Sequence, residues 1–198
     1  LKGHSSWVNT VAIARSGKLA ISGSGDNTLK VWDLETGEVL CILTGHSDSV
    51  NAASIALDGK QAICGSNDNM LKVWNLTTLK EMFTLNGHSS WVNAVAIAPE
   101  GTRAISASLD NTLKIWDLET KAELFTLTGH RDSVNAVAIL PDGKLAISGS
   151  WDNRLKVWDL ETKAELFTLK GHSDSVNALA IAVDGKLAIS GSGDKTLK

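Results

Sequence analysis

The sequence is short of several features that usually point to a function. It holds two cysteines in 198 residues, Cys41 and Cys64, too few for a disulfide framework. A reducing, cytoplasmic setting is the expectation that follows. No run of about 18 apolar residues is available to span a membrane, and no signal peptide is visible at the opening "LKGH". Lys and Arg number 19 against 22 Asp and Glu, a net charge of −3. Nucleic-acid binding wants a clustered basic face, and this balance offers none. CxxC and HxxxH metal spacings are absent, as are a G-x-S-x-G elbow for a nucleophilic serine and a GxxxxGK[ST] loop for a nucleotide phosphate. No segment shows a capped helical period. These absences set the expectations of no cofactor, no metal site, no catalysis, and no nucleic-acid or membrane partner.

What the sequence does have is repetition. Gly-His occurs at 3–4, 45–46, 87–88, 129–130 and 171–172, 42 residues apart each time. Aspartates recur on the same period at 26, 68, 110, 152 and 194, and tryptophans at 32, 74, 116 and 158. Residues 129–156 and 171–198 agree at 21 of 28 positions. The chain reads as one repeat region, 1–198, of four full units and a shortened fifth: about 4–44, 46–86, 88–128, 130–170 and an incomplete 172–198.

Each unit predicts four short strands. In the fourth, "VNAVAIL" (134–140) mixes β-branched and small apolar residues and ends in a "PDG" turn. "KLAIS" (144–148) leads into the turn "GSWDN", and "RLKVWDL" (154–160) alternates apolar with polar as a half-buried strand does. After "ETK", "AELFTL" (164–169) is the fourth. About 40 residues in four antiparallel strands is the pattern of an all-β propeller blade.

The run "GHSDSVNA…DGK…AISGSxDNTLKVWDLET" resembles the WD-repeat (WD40) β-propeller family along the whole chain. Repeats this uniform are also similar to the propeller regions of bacterial signalling proteins. The resemblance implies a non-enzymatic, protein- or peptide-binding scaffold. It also implies one hydrogen-bonded chain per blade, from the Gly-His histidine through the turn aspartate and a second-strand serine to the third-strand tryptophan. Carried over, these are His4, Asp26, Ser22 and Trp32; His88, Asp110, Ser106 and Trp116; His130, Asp152, Ser148 and Trp158. The second blade keeps His46, Asp68 and Trp74 but has Cys64 for serine and Asn75 for aspartate, so a weakened chain is expected there. Cys64 reads either as a redox-sensitive thiol or as a tolerated core substitution. The fifth unit offers His172, Ser190 and Asp194. Ser, His and Asp are the ingredients of a hydrolase triad, but five copies at identical spacing read as a structural bond.

Three tryptophans break the period. Trp7 and Trp91 stand where Ser49, Ser133 and Ser175 stand in other units, and Trp151 stands where Gly25, Asn67, Leu109 and Gly193 do. Strands alternate in direction, so alternate loops share a face, and all three indoles map to the face of the Gly-His and Ser-Gly-Ser-x-Asp loops. The resemblance makes that face the usual partner surface. Candidate contacts are Trp7, Trp91, Leu109 and Trp151, with Asn9, Asn93 and Asn135 also there, although an Asn in every unit fits a framework role. Each indole could instead fold over a neighbouring blade. Three closures are open: a portion of a longer propeller, a five-bladed ring, or a structural array in which rings close from several chains, a homo-oligomer.

Overall fold

The computed structural model describes residues 1–198 and is all-β. β1 (Val8–Ile13), β2 (Leu19–Ser24), β3 (Leu29–Asp33) and β4 (Val39–Leu43) pair in order as one antiparallel sheet. β5 (Val50–Ile55), β6 (Gln61–Ser66), β7 (Met70–Asn75) and β8 (Lys80–Asn86) form the second. β9 (Val92–Ile97), β10 (Arg103–Ser108), β11 (Leu113–Asp117) and β12 (Ala122–Leu127) form the third, and β13 (Val134–Ile139), β14 (Leu145–Ser150), β15 (Arg154–Asp159) and β16 (Ala164–Lys170) the fourth. A fifth sheet has two strands, β17 (Val176–Ile181) and β18 (Ala188–Ser192). No helix is present that is long and apolar enough to cross a membrane, which says nothing of β-barrels.

In the fourth unit the four expected strands are present within one residue at each end, except that β14 runs two residues further, through Gly149 and Ser150. The turn after it is built on Asn153, whose φ of 67° lies in the left-handed region. Asn27, Asn69 and Asn111 take the same conformation, which asparagine tolerates better than most residues. That is why "DN" recurs. The fifth unit uses Lys195 there, at φ 67°.

The core lies between sheets rather than within them. Ile21, Leu29, Val31 and Leu43 of the first sheet pack on Val50, Ala62, Cys64, Trp74 and Leu76 of the second. The same seam recurs between the second and third sheets around Trp116, and between the third and fourth around Trp158. The second and third blades thus bury both faces, which corrects the reading of the third strand as half-buried. Lys30, Lys72, Lys114 and Lys156, the polar positions of that strand, are buried along with their apolar neighbours. Three of them satisfy the ammonium from the fourth strand. Lys72 Nζ donates to Glu81 (2.9 Å) and Thr84 (2.9 Å), Lys114 to Glu123 (2.8 Å) and Thr126 (2.8 Å), and Lys156 to Glu165 (2.6 Å) and Thr168 (2.8 Å).

The arc does not close into a five-bladed ring. Val8, Val11 and Ile13 of the first sheet are exposed, as are Leu187 and Ile189 of the fifth. The period mates of Val8, namely Val50, Val92, Val134 and Val176, are fully buried in seams.

Candidate functional site

The periodic side chains sit together in every blade. His4 Nδ1 is 2.8 Å from Asp26 Oδ2, His4 Nε2 is 2.8 Å from Ser22 Oγ, and Trp32 Nε1 donates to that oxygen at 2.7 Å. His88, Asp110, Ser106 and Trp116 repeat the chain at 2.7–2.8 Å, and His130, Asp152, Ser148 and Trp158 at 2.7–2.9 Å. In the fifth sheet His172 bridges Asp194 (2.8 Å) and Ser190 (2.9 Å), and no tryptophan follows.

Donor counting fixes the direction. An indole can only donate, so the serine oxygen accepts from it and passes its own proton to Nε2. The neutral imidazole then donates from Nδ1 to the carboxylate. The aspartate is saturated: Asp110 also accepts from the Ser89 and Thr112 amides and the Thr112 hydroxyl. Burial opposes ionisation of Asp110, but the His88 and Thr112 bonds outweigh it and hold its carboxyl well below the usual range. The threonine two residues past the aspartate, at 28, 112 and 196, joins the chain in this way. Its recurrence in "DNT" and "DKT" was the available signal.

Protonating the histidine would break this order, because Nε2 could no longer accept from serine. Burial pushes His46 and His130 below the ordinary 6.5, with Asp68 and Asp152 offsetting only part of it. A histidine depressed in the folded state favours folding above its unfolded value. That stability is lost as the pH falls from about 6.5 towards the folded value, because the unfolded chain then binds more protons. The aspartates, also depressed, add a second loss below about pH 4. The urea midpoint should therefore be lower at pH 5.5 than at pH 7.5; equal midpoints would contradict the neutral chain.

In the second blade Cys64 takes the serine's place. His46 Nε2 lies 3.1 Å from its sulfur, and Trp74 Nε1 donates to it at 3.2 Å. The thiol is fully buried, which pushes its pKa up to about 12. A buried, protonated thiol is a poor sensor, so the core substitution is the better of the two readings. A thiol is also the weaker partner for both neighbours. Replacing Cys64 with serine should stabilise the fold by about 0.5–1.5 kcal/mol, read as a higher denaturant midpoint; a lower midpoint would show that the sulfur's volume matters more.

The asparagines have structural contacts. Asn9 and Asn93 are the extra residues of β-bulges, where the register shifts between Val8 and Thr10 and between Ala107 and Ser108. The bulge aims the amide at the next blade. Asn9 Nδ2 donates to Val50 O and Asn51 Oδ1, both at 3.3 Å, and Asn93 Nδ2 to Ser133 Oγ (3.0 Å), Val134 O (3.2 Å) and Asn135 Oδ1 (3.1 Å). Asn135 accepts from Asn93 and from Ser133, while its own Nδ2 is buried without a partner.

The aperiodic residues lie elsewhere. The Gly25 amide donates to Trp7 O (2.8 Å), Leu109 N to Trp91 O (2.9 Å), and Trp151 N to Ser133 O (2.9 Å). The second and fifth blades repeat this contact with Asn67 and Ser49, and Gly193 and Ser175. Trp7, Trp91 and Trp151 thus occupy one pair of hydrogen-bonded loop positions. Trp7 is 85% exposed and the other two 48%, whereas the four periodic tryptophans are no more than 4% exposed. Leu109 is half-buried.

The profile of the WD40 family (WD domain, G-beta repeat) matches residues 1–33, 37–75, 79–117, 121–159 and 163–198. Among curated relatives, the nuclear distribution protein PAC1 of Candida tropicalis is 53% identical over 47 residues, and that of Candida albicans 52% over 48, each match covering 22% of this chain. The small ribosomal subunit protein RACK1 of Dictyostelium discoideum is 54% identical over 37 residues, 19% of the chain. Each match spans about a tenth of the relative's own length.

Proposed function

Because the chain belongs to the WD40 family, a family of protein-interaction scaffolds, we propose that it binds a protein or peptide partner through the face carrying Trp7, Trp91 and Trp151. Catalysis, nucleic acid and membrane have no part in this reading, and the setting it fits is the cytoplasm. The observation that carries it is the contrast in exposure between the aperiodic and the periodic tryptophans. Trp7 stands almost wholly in water and Trp91 and Trp151 half so, at positions where other blades use serine, glycine, asparagine or leucine, so the blade does not require an indole there. Exposed aromatics are the side chains that most often anchor an interface. Leu109, hydrogen-bonded through its backbone to Trp91, extends the apolar patch. Asn9 and Asn93 are assigned to the framework, since their amides donate across to the next blade, and Asn135 accepts there through its oxygen. RACK1, named as a small ribosomal subunit protein, is a relative that works within an assembly. The experiment is the loss of affinity for a peptide selected on the chain when the three indoles are removed together.

A second reading, assembly between chains, is favoured by the free end faces. A Cβ added to Gly23, Gly65 or Gly149 would meet the valine of the next blade at 2.4–2.6 Å. Gly191 has no such valine, and Val8 is 57% exposed. The first face therefore carries the knob and the last face the matching hole. Under this reading, light scattering should show a mass that rises with concentration in multiples of the 21.0 kDa chain; a constant single-chain mass would contradict it.

A further inference from the structure

The fourth blade breaks the repeat at three more positions. The residue after Gly-His is Ser5, Ser47 and Ser89 in the first three blades and Arg131 in the fourth. Two residues past the turn aspartate stand Thr28, Met70 and Thr112, then Arg154. At the end of the fourth strand stand Thr44, Asn86 and Thr128, then Lys170. Three positions that are neutral in three blades are thus all cationic in one, and they line a single depression of about 290 Å³ with no apolar wall.

The local charges are uncompensated. Arg154 and Lys170 are direct cross-strand partners, and like charges opposite each other destabilise a sheet. Neither guanidinium is engaged by an acidic side chain, nor is the Lys170 ammonium. The nearby carboxylates are spent: Asp152 accepts from His130 and from the amides of Arg131 and Arg154. Glu165 accepts from Lys156 and Thr168, and Asp132 from the Ser133 amide. Arg131, Arg154, Lys156 and Lys170 line the depression with Asp152 as its one carboxylate. Glu165 beside it pairs with Lys156, while Asp132 lies outside the lining. The depression thus has a surplus of two positive charges. The same site in the third blade has Lys114 against Asp110 and Glu123, a surplus of one negative charge.

We propose that the fourth blade carries a phosphate-binding site, formed by Arg131, Arg154 and Lys170, that takes a phosphorylated side chain of a protein partner. A carboxylate would neutralise half of the surplus, whereas a phosphate monoester carries close to two negative charges and three strong acceptor oxygens. Guanidinium forks match those oxygens in geometry as well as charge. A nucleic-acid backbone would need a track of such sites, and the corresponding sites of the other blades are neutral or negative. Trp151 stands three residues before Arg154 in the same hairpin turn, so a segment lying on that indole would bring its phosphate within reach. This last placement rests on the partner-face reading; the anion site itself does not.

The test uses the whole chain, with inorganic phosphate followed by arginine Nε–H resonances. Saturable shifts confined to Arg131 and Arg154 are expected. The variant Arg131→Ser, Arg154→Thr, Lys170→Thr installs the residues of the third blade, and Arg154→Thr alone serves if the triple change disturbs the fold. Affinity for phosphate should fall about tenfold or more in the triple variant. A peptide selected on the chain should bind about tenfold tighter when phosphorylated, and the triple variant should lose that preference. Failure of the partner-face reading alone would leave the phosphate shifts intact. Absence of saturable shifts, unchanged phosphate affinity in the variants, or an RNA oligonucleotide binding tighter than the phosphopeptide would each overturn the proposal.

Discussion

Replacing Trp158 with alanine is expected to cost about 3–5 kcal/mol of stability, and replacing Trp151 with alanine less than about 0.5. The two residues lie seven apart in one hairpin, so neither composition nor proximity separates them; their surroundings do. Trp158 is 1% exposed and fills the seam between the third and fourth sheets, among Ile105, Ala107, Leu113 and Ile115. Its truncation opens a cavity that two rigid sheets cannot collapse to fill. It also removes the donor to Ser148 Oγ, at the head of the chain that runs through His130 to Asp152. Trp151 is half in water, its indole makes no hydrogen bond, and its backbone amide, which donates to Ser133 O, is retained by alanine. Comparable shifts in denaturant midpoint for the two variants would contradict this division between framework and surface.

The division was legible in the sequence because the fold repeats. A requirement of the blade must appear at 42-residue intervals, and Trp32, Trp74, Trp116 and Trp158 do. Residues off the period are released from that requirement, which is how Trp7, Trp91 and Trp151 stand out in a chain with seven tryptophans. Strand positions were legible for a similar reason, since turn residues punctuate each unit at fixed places.

Other features were not legible, because period alone does not say which role a repeated residue has. The third-strand lysines alternate with apolar residues as solvent-facing side chains would. They are buried because the third strand lies inside its sheet, between the second and the fourth, with an adjoining blade packed against it, a property of the assembled blades rather than of the strand. Their partners Glu81, Glu123 and Glu165 lie nine residues further on, across a bulged strand pair, a spacing that no local pattern marks. The repeated asparagine was ambiguous in the same way. Only the bulge in the first strand shows why Asn9 and Asn93 point across the seam instead of out to a ligand. In the first blade Val39 and Ile42 stand where Glu and Thr serve the other lysines, and nothing in the structure explains that exchange.

The partner face is tested most directly by the affinity of the variant carrying Trp7→Ser, Trp91→Ser and Trp151→Ser together. Its ligand would be the tightest peptide selected on the unaltered chain. Serine already occupies the position of Trp7 and Trp91 in the other blades, and at the position of Trp151 the other blades carry glycine, asparagine or leucine, so none of the three sites requires an indole. Anchoring aromatics commonly cost 2 kcal/mol or more each when removed from an interface. The loss expected for three is about a hundredfold or more in Kd, with the denaturant midpoint close to that of the unaltered chain. An unchanged Kd in a folded triple variant would contradict the assignment and move the partner surface to the opposite loops or the outer strands.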